Sequence, residues 1–488
     1  MSRRVLILAN VGSRDVRYTG KDLDGHVDEK RGLLPRSMGN LLLHEYEHVK
    51  DDIELPIVGK GIRHIEFLSY KYPGVLQRGN NAPTVGLFCT DQEDERYRES
   101  DTIEFAKIVQ TKLPEVFPHS KDNRGIRLSD KGLVTIYTIG EHDPSRYDDM
   151  YSFYAGFFTD KAQDWNPSEW HCFVLTSGGT PAMNAALILQ AVQHFGENCV
   201  QIHVPREDEA SELRIGEEIV RAETERRFDE ALETLQFRAA ARILAETSRE
   251  DYRAHACRYA AHRLAFDFRG AVDHCRAAIR VAHGDARKYL ERHERLTVRL
   301  AQGRSEWANR HLFVEELFYN LEVKARLNEY VDMLGRVFRL QEALLGWIVH
   351  SEIGIETDED RVVEEKEVEG VPGLWEYMAE KLPGGTRINR RSLTAISGYL
   401  IKPAAGLQDE RREKISKVRS AANKIDKLSN LRNKTIVAHG FEGVSERDVV
   451  QTWGSDTLVE DLRSTVSAAL ESDLSENPFF ELAERLRF

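Results

Sequence analysis

Cysteine is scarce in this chain of 488 residues, which contains five cysteines at irregular spacing. They are Cys89, Cys172, Cys199, Cys257 and Cys275, and no two of them form a Cys-x-x-Cys pair. Structural zinc sites commonly use such pairs, and small secreted domains use even numbers of cysteines in disulfides. Because most of the five lie in apolar segments, we expect reduced, buried thiols. No metal-binding residues are predicted.

Long hydrophobic runs are absent too. No apolar stretch approaches the roughly 20 residues that span a bilayer. The first residues, Met1-Ser2-Arg3-Arg4, lead into a short strand pattern rather than a signal peptide. We therefore expect a cytoplasmic protein that makes no contact with membranes.

The chain also lacks an excess of basic residues. It carries 68 Lys and Arg against 81 Asp and Glu, which gives a formal net charge of −13 at pH 7. Proteins that coat DNA or RNA present a positive surface, so any contact with nucleic acid must be confined to a local basic patch. With 488 residues, the chain has room for two or three domains.

The common nucleotide-binding and hydrolase signatures are missing as well. Neither a Gly-x-Gly-x-x-Gly nor a Walker motif occurs, which disfavours NAD and ATP as ligands. The Gly-x-Ser-x-Gly order of a serine hydrolase elbow is also absent. No cofactor is therefore predicted.

The first two fifths of the chain contain an alternation of strand and helix patterns. Short apolar runs occur at residues 5–9, 85–89, 133–139, 172–175 and 200–204. Helical patterns follow several of them, as at 147–158 and 182–194. This order predicts a parallel sheet covered by helices on both faces, in which ligands bind at the carboxyl ends of the strands.

Two loops at those strand ends carry polar residues and glycines. The first contains Asn10, Gly12, Ser13 and Arg14, and the second spans residues 176–181. In the second loop Thr180 suits an N-cap and Pro181 suits the first helical position, so free backbone N–H groups are expected to face the loop. Such a helix start binds anions, and Arg14 would pair with phosphate.

The same loop has further groups suited to an anionic ligand. Thr176 and Ser177 would donate hydroxyl hydrogen bonds, and Gly178 and Gly179 would let a ligand approach the backbone closely. The alternative is purely structural, because a Gly-Gly turn between a strand and a helix often serves only to make a tight corner.

From residue 215 onward the strand patterns stop and helical patterns replace them. Apolar or alanine residues recur at steps of three and four within 224–245, 252–266 and 271–282. A longer helical pattern covers 310–349, and helical patterns resume at 392. The acidic stretch 352–369 between them is expected to form an exposed insertion.

Arg432 and His439 mark the most informative segment of the helical part. If this segment is helical, seven steps at about 100° return to within roughly 20° of the starting direction, so both side chains share one face. Gly440 would then be the C′ cap, with His439 in the last turn. A fixed cation beside a proton-transferring group suits RNA cleavage without a metal.

Spacing alone does not single out this pair, because other pairs of Arg and His have similar spacing. These are Arg249 and His255, Arg269 and His274, Arg276 and His283, Arg287 and His293, and Arg304 and His311. Three features favour the C-terminal pair: the Arg432-Asn433 dipeptide, the following Gly440, and a basic run. Residues 411–434 contain nine Lys or Arg against two Asp or Glu, the local charge that a phosphate backbone requires. The alternative for that run is a solvated helix face.

With these motifs the chain resembles the CARF–HEPN ribonucleases of type III CRISPR systems. The resemblance rests on the run 175–183, Leu-Thr-Ser-Gly-Gly-Thr-Pro-Ala-Met, in a Rossmann-like domain, and on Arg432-Asn433 followed by His439 in a helical domain. It implies an N-terminal CARF domain that senses a cyclic oligoadenylate and a C-terminal HEPN domain that is a metal-independent endoribonuclease activated by it.

The resemblance also implies roles for individual residues. Arg432, Asn433 and His439 would be the nuclease residues. The cyclic oligoadenylate, a tetra- or hexa-adenylate with the tetra-adenylate favoured, would be held by Asn10, Gly12, Ser13, Arg14, Thr176, Ser177, Gly178, Gly179, Thr180 and Met183.

The expected fold class is therefore α/β plus all-α. We predict a Rossmann-like CARF domain with a parallel sheet at residues 1–209, a helical linker domain at 210–305 and an all-helical HEPN domain at 306–488. Because RNA cleavage uses an acid and a base while the motif supplies one histidine, we expect a homodimer that cleaves single-stranded RNA at a composite site.

Two other functions stay open at this point. The chain would be a ligand-sensing regulator without catalysis if its helical part bound nucleic acid or protein, although no convincing helix-turn-helix signature is present. Alternatively, the N-terminal domain would also degrade its own cyclic ligand, with Asn10, Ser13 or Thr176 orienting a ribose hydroxyl.

Overall fold

The structure, a computed structural model, divides the chain into two compact units, Met1–Thr224 and Glu225–Phe488. The residues it describes are 3–20, 34–68, 82–118, 126–128, 133–205, 208–245, 251–303, 309–357, 361–382 and 387–488. The first unit contains the strands and the second is helical.

Eight strands are present in the described part of the first unit. They are β1 Arg4–Asn10, β2 Arg17–Tyr18, β3 Ile53–Glu54, β4 Thr84–Thr90, β5 Val134–Ile139, β6 Trp170–Leu175, β7 Cys199–His203 and β8 Ser211–Leu213. Six of them form one sheet in the order β5-β4-β1-β6-β7-β8, while β2 and β3 pair separately. The first five strands of the large sheet are parallel, and β8 pairs antiparallel with β7. The predicted parallel sheet is confirmed.

Helices cover both faces of this sheet, as predicted. On β1, Val5 and Ile7 point into one core and Leu6 and Leu8 into another, because successive side chains alternate across a strand. The first core is closed by α1, α3 and α5, and the second by α6 and α7. The helices of this unit are α1 Pro35–His44, α2 Tyr46–Val49, α3 Val58–Leu68, α4 Glu95–Arg98, α5 Ile103–Val116, α6 Tyr147–Lys161 and α7 Pro181–Phe195.

A further helix, α8, spans Ile215–Glu233 and crosses the division between the units. The second unit continues with α9 Phe237–Ala245, α10 Tyr252–Leu264, α11 Phe268–Val281, α12 Gly284–Ala301, α13 Arg310–Arg326, α14 Tyr330–Ile353, α15 Glu365–Val368, α16 Leu374–Lys381, α17 Arg390–Leu400, α18 Asp409–Asp426, α19 Ser429–Lys434, α20 Glu446–Trp453, α21 Leu458–Leu470 and α22 Pro478–Leu486.

One hydrophobic core runs through most of the second unit, from Phe228 to Leu486. A buried ion pair lies within it: the Arg263 guanidinium on α10 donates to both carboxylate oxygens of Glu316 on α13, at 2.8 and 2.6 Å. Tyr259 accepts another hydrogen bond from Arg263 at 2.8 Å. Residues of the predicted linker 210–305 and of the predicted HEPN domain therefore share one core, and the sheet extends beyond residue 209 through β8. The three-part division of the chain stays a prediction.

The helical pattern predicted at 310–349 is confirmed, and it consists of two helices, α13 and α14, separated by a turn in which Asn328 has a φ of 59°. The acidic stretch 352–369 is not simply an exposed insertion, because Ile355, Val363 and Val368 are buried in the core between the acidic positions. Residues 358–360 of this stretch lie outside the described residues.

All five cysteines are buried free thiols, as expected from their apolar surroundings. A search of the helices in the described ranges finds none with the length and apolar character that a membrane crossing requires.

Candidate functional site

The two candidate phosphate-binding loops lie side by side in the first unit. Strand β1 lies between β4 and β6, so the chain builds the sheet outward in one direction through β4 and β5 and then in the other through β6 and β7. The loops after β1 and β6 therefore flank the point at which the strand order reverses. In open α/β sheets this is where ligands bind.

Glycines allow these two loops to touch. A Cβ added to Gly12 would lie 2.5 Å from the backbone nitrogen of Gly179, and a Cβ on Gly178 would collide with the carbonyl oxygen of Asn10. Gly179 itself has a φ of +70°, which favours glycine. The Gly-Gly turn is thus required by loop packing, which is the structural alternative raised by the sequence. A ligand-binding role for the two glycines stays a prediction.

The start of α7 has the predicted capping geometry. The Thr180 hydroxyl oxygen accepts a hydrogen bond from the Met183 amide at 3.2 Å, and Pro181 takes the first helical position. The Thr180 hydroxyl also donates to the carbonyl of Pro144. A capped helix start at the edge of a parallel sheet leaves backbone N–H groups directed outward, which suits an anion.

Several predicted ligand residues already have partners inside the protein. The buried Asn10 side chain accepts from the Tyr154 hydroxyl and donates to Asn184 at 3.0 Å. The Thr176 hydroxyl donates to the carbonyl of Ile202 at 3.3 Å, and Met183 is buried.

Ser177 is held in a similar way, since its hydroxyl oxygen accepts from the Val204 amide at 2.8 Å. Among the predicted ligand residues, the side chains that face solvent most openly are those of Ser13 and Arg14.

Asp15 is a residue of this site that the sequence reasoning missed. Its fully buried carboxylate accepts a hydrogen bond from the Gly12 amide at 2.7 Å. Burial raises the pKa of Asp15 to about 7, although the Gly12 amide and the positive charge of Arg14 both oppose that shift. A buried carboxyl with a raised pKa therefore lies against the backbone of the first loop. The sequence signal that could have identified Asp15 is its position directly after Arg14, a predicted ligand residue.

His203 was also missed. It ends β7, and its Nδ1 lies 3.2 Å from the Ser177 hydroxyl. The carboxyl end of β7 is next to that of β6 in the sheet, so a third loop reaches the same edge. The signal was present, because the predicted strand 200–204 contains this histidine near its carboxyl end.

The candidate nuclease segment in the second unit is not one continuous helix. Helix α19 ends at Lys434, and residues 436–439 form a turn. The prediction that Arg432 and His439 share a helical face, with Gly440 as the C′ cap, was wrong. Three consecutive β-branched residues, Thr435, Ile436 and Val437, follow the helix and are poor helix formers.

Thr435 organises the turn that replaces the helix. Its buried hydroxyl donates to the carbonyl of Arg432 at 2.7 Å, while its own carbonyl accepts from the amides of Ala438 and Gly440, both at 3.1 Å. A side chain at Gly440 would collide with the carbonyl of Lys434. The glycine therefore permits a tight return of the chain rather than a helix cap.

The turn keeps the predicted nuclease residues in one short segment. The Arg432 guanidinium donates to the Asn433 side-chain oxygen at 3.0 Å, and its carbon lies 4.4 Å from the centroid of the Phe338 ring on α14. His439 is exposed and has no hydrogen-bond or ion-pair partner in the part of the chain that the structure describes. The structure thus joins Arg432 to Asn433 by a hydrogen bond, and among the described residues His439 is hydrogen-bonded to neither.

Comparisons with known proteins place this segment in a family. Residues 304–459, which include the Arg432-Asn433 and His439 motif, match the protein-family model described as the Csm6 HEPN domain. Over these residues the chain is similar to the Csm6 HEPN domain. The resemblance of the helical unit to a HEPN domain, predicted from the sequence, is confirmed for these residues.

A solved structure is similar in fold to this chain over nearly its whole length. Csm6 of Enterococcus italicus, bound to cyclic hexa-2′-fluoro-hexa-dAMP, is similar with a TM-score of 0.58 and 13% identity, covering 99% of each chain. At this identity the similarity establishes the fold alone. A search of curated proteins found no match.

Proposed function

We propose that this protein is a metal-independent endoribonuclease of type III CRISPR defence that cleaves single-stranded RNA when a cyclic oligoadenylate binds its N-terminal unit. The observation that carries the proposal is the segment 432–439. It lies within the Csm6 HEPN match and holds an arginine pinned against an aromatic ring together with an exposed histidine.

The reaction assigned to these residues is an intramolecular transesterification at a phosphodiester of the RNA. The substrate 2′-hydroxyl attacks the adjacent phosphorus as a base removes its proton, and the 5′-oxygen leaves as an acid protonates it. His439 would transfer protons, and Arg432 would stabilise the charge that gathers on the phosphoryl oxygens. Asn433 orients the guanidinium through its side-chain oxygen. The product would carry a 2′,3′-cyclic phosphate.

A second chain would complete the site. The reaction uses an acid and a base, and the motif supplies one histidine. Three large apolar side chains around His439 are exposed: Ile436 by 73%, Val437 by 40% and Phe441 by 94%. Apolar residues clustered in one exposed loop favour a protein contact, and a homodimer with this loop at its dyad would bring two histidines together.

The activator is assigned to the two loops of the first unit. Phosphates of the ring would bind at the capped start of α7 and beside Arg14, and the backbone N–H groups there carry the affinity. The E. italicus protein in the solved structure holds a cyclic hexa-adenylate analogue. A bound ligand of this class on a protein of the same fold favours a cyclic oligoadenylate for this chain, and it favours cyclic hexa-adenylate over the cyclic tetra-adenylate expected from the sequence.

Degradation of the activator by the first unit has less support. That reaction would draw on Asn10, Ser13 or Thr176. The Asn10 side chain is bonded to Tyr154 and Asn184, and the Thr176 hydroxyl is bonded to Ile202, so only the exposed Ser13 of these three is left for it. A regulator without catalysis would not account for His439, which is exposed and has no partner among the described residues.

The ends of the RNA products test the proposed chemistry. A single-stranded RNA incubated with the purified chain, cyclic hexa-adenylate and EDTA should yield fragments with 2′,3′-cyclic phosphate ends, detected by mass spectrometry. Fragments with 3′-hydroxyl ends, or cleavage that needs Mg²⁺, would rule this mechanism out.

A further inference from the structure

A cavity of about 650 Å³ opens in the second unit between α13, α14 and α17. This volume lies within the range of small-ligand sites. No residue in its lining belongs to the 432–439 motif, and no sequence pattern predicts it. Its lining combines arginines with aromatic rings, and the arginines are Arg310, Arg339, Arg390 and Arg391.

The charge of the cavity is locally positive in an acidic chain. Its lining contains one carboxylate, Glu342, which binds Arg339 at 2.9 Å. Arg390 also has a partner, Asp426 on α18. Arg391 is exposed at the second position of α17 and forms no ion pair with any residue the structure describes. With Arg391 left unpaired among the described residues, beside three further lining arginines and one lining carboxylate, the cavity is suited to an anion.

The aromatic rings supply flat apolar surface next to these charges. Phe266, Phe313 and Trp347 line the cavity. The indole N–H of Trp347 donates to the carbonyl of Ala469 at 3.2 Å, so its ring offers apolar surface. Phe266 is 38% exposed and is held at a φ of 58°, a backbone conformation that phenylalanine rarely adopts. Aromatic rings beside cations are the usual surface for stacking nucleic-acid bases.

The cavity borders the candidate nuclease residues. The Arg390 and Arg432 guanidinium carbons lie 5.9 and 4.4 Å from the centroid of the same Phe338 ring. The two guanidinium carbons therefore lie no farther apart than these two centroid distances added together. Asp426 fixes this junction, since it binds Arg390 and also accepts from the Gln341 side chain at 2.8 Å. Arg390 therefore brings one wall of the cavity close to Arg432.

We propose that this arginine-lined cavity binds a nucleotide of the single-stranded RNA substrate next to the scissile phosphate, with Arg391 at a phosphate and Phe266 stacked on a base. This assignment rests on the proposed nuclease function. It gives the cavity a role in substrate affinity, while the chemistry stays with Arg432 and His439.

Two substitutions separate the two kinds of contact. Arg391→Ala should weaken binding of a fluorescein-labelled single-stranded RNA roughly three- to tenfold and reduce the slope of log K against log salt by about 0.7, the share of one phosphate contact. Phe266→Asn should weaken binding roughly fivefold or more and leave that slope unchanged, because stacking releases no counterions. Asparagine accepts a positive φ, so this change adds no backbone strain.

Binding is measured by anisotropy with the full-length chain in a His439→Ala background, and cleavage is measured without that change. In cleavage both variants should raise KM with kcat unchanged, since the contacts exist before and during the reaction. Arg280→Ala, an exposed arginine on α11 away from the cavity, is the matched control and should behave as wild type. If wild type cleaves RNA while both variants keep the wild-type Kd and KM, the cavity assignment is overturned and the nuclease proposal survives. If wild type neither binds nor cleaves RNA, both proposals fail.

Discussion

The guanidinium carbon of Arg432 lies 4.4 Å from the centroid of the Phe338 ring. Arg432 belongs to the short helix α19, whereas Phe338 is buried in the long helix α14. The contact is a cation–π interaction, and together with the hydrogen bond to Asn433 it fixes the plane of the guanidinium. Charge stabilisation in a reaction depends on such positioning.

Removing the ring should therefore misplace the cation. Phe338→Leu should lower kcat for RNA cleavage by about 2- to 30-fold, the span that corresponds to a cation–π contact of roughly 0.5–2 kcal/mol. Phe338→Tyr keeps an aromatic face and should restore the rate. Thermal melting of each variant reports the loss of packing separately. A normal kcat in Phe338→Leu would show that the ring does not position Arg432.

Phe441 tests the composite site. Its side chain is 94% exposed in the loop that follows His439. Phe441→Asp should convert a dimer into monomers, measured by light scattering, and should lower RNA cleavage at least tenfold. The physical reason is that burying an unpaired charge in the subunit contact costs about 2 kcal/mol or more. Tyr97→Asp, an exposed aromatic residue of the first unit, serves as the control. A fully active monomeric variant would contradict the composite site.

The sequence predicted most strands of the sheet because β1, β4, β6 and β7 are largely buried on both faces and appear as apolar runs. Strand β8 was missed, since its three residues carry no such run. The loops after β1 and β6 were located correctly, because the carboxyl ends of parallel strands share one edge. The packing of Gly178 against Asn10 could not be foreseen, as it depends on how close two loops distant in sequence approach each other.

The prediction made from residue spacing was wrong at the nuclease motif. Arg432 and His439 are seven residues apart, which fits a helix, yet Thr435 bonds back to Arg432 and ends it. The three β-branched residues at 435–437 were the signal that should have outweighed the spacing. The cavity with Arg391 was invisible for a different reason. Its lining comes from helices far apart in the chain, which no local pattern connects.

Arg14 should set the concentration of activator that is needed, not the maximal rate. Its side chain is exposed in the loop after β1, which packs against the Gly178-Gly179 turn before α7, so Arg14→Ala should raise the half-maximal activator concentration roughly tenfold while saturating ligand restores full activity. Arg17→Ala is the matched control, because Arg17 is exposed nearby and its only ion pair in the described chain is a 3.8 Å contact with Glu54. Equal activator requirements in both variants would contradict the assignment of Arg14.

Glycine substitutions in the second loop are a poor test of ligand binding. A Cβ at Gly178 collides with the Asn10 carbonyl, so Gly178→Ala should destabilise the first unit whatever it binds. Melting temperature would fall along with activator affinity.

Asp15 should make stability depend on pH. Burial raises the pKa of Asp15 from 3.8 to about 7, so between these values the folded chain holds a proton that the unfolded chain has released. The contribution is therefore fully present below about pH 4 and is lost as pH rises through about 7, by at most about 1.4 kcal/mol per pH unit.

Asp15→Asn removes this titration. In urea unfolding at several pH values from about 5 to 8, the wild-type midpoint should fall relative to that of the variant as pH rises, and the difference should level off above pH 7. Parallel pH profiles for the two proteins would show that the Asp15 carboxyl stays ionised in the folded chain.

The nuclease assignment itself is tested by His439. His439→Ala should lower the cleavage rate by roughly 10² to 10⁴-fold, the usual range for a lost general acid or base. His283→Ala, an exposed histidine from another Arg and His pair of similar spacing, should leave the rate unchanged. Full activity in the His439 variant would move the active site elsewhere.

The most direct test of the whole account is the rate of single-stranded RNA cleavage in EDTA with cyclic tetra-adenylate and cyclic hexa-adenylate supplied in turn. The account predicts that one of the two rings accelerates cleavage by wild type at least tenfold, that EDTA has no effect, and that neither ring activates Arg432→Ala. Cleavage that ignores both rings, or that stops in EDTA and returns with Mg²⁺, would contradict it.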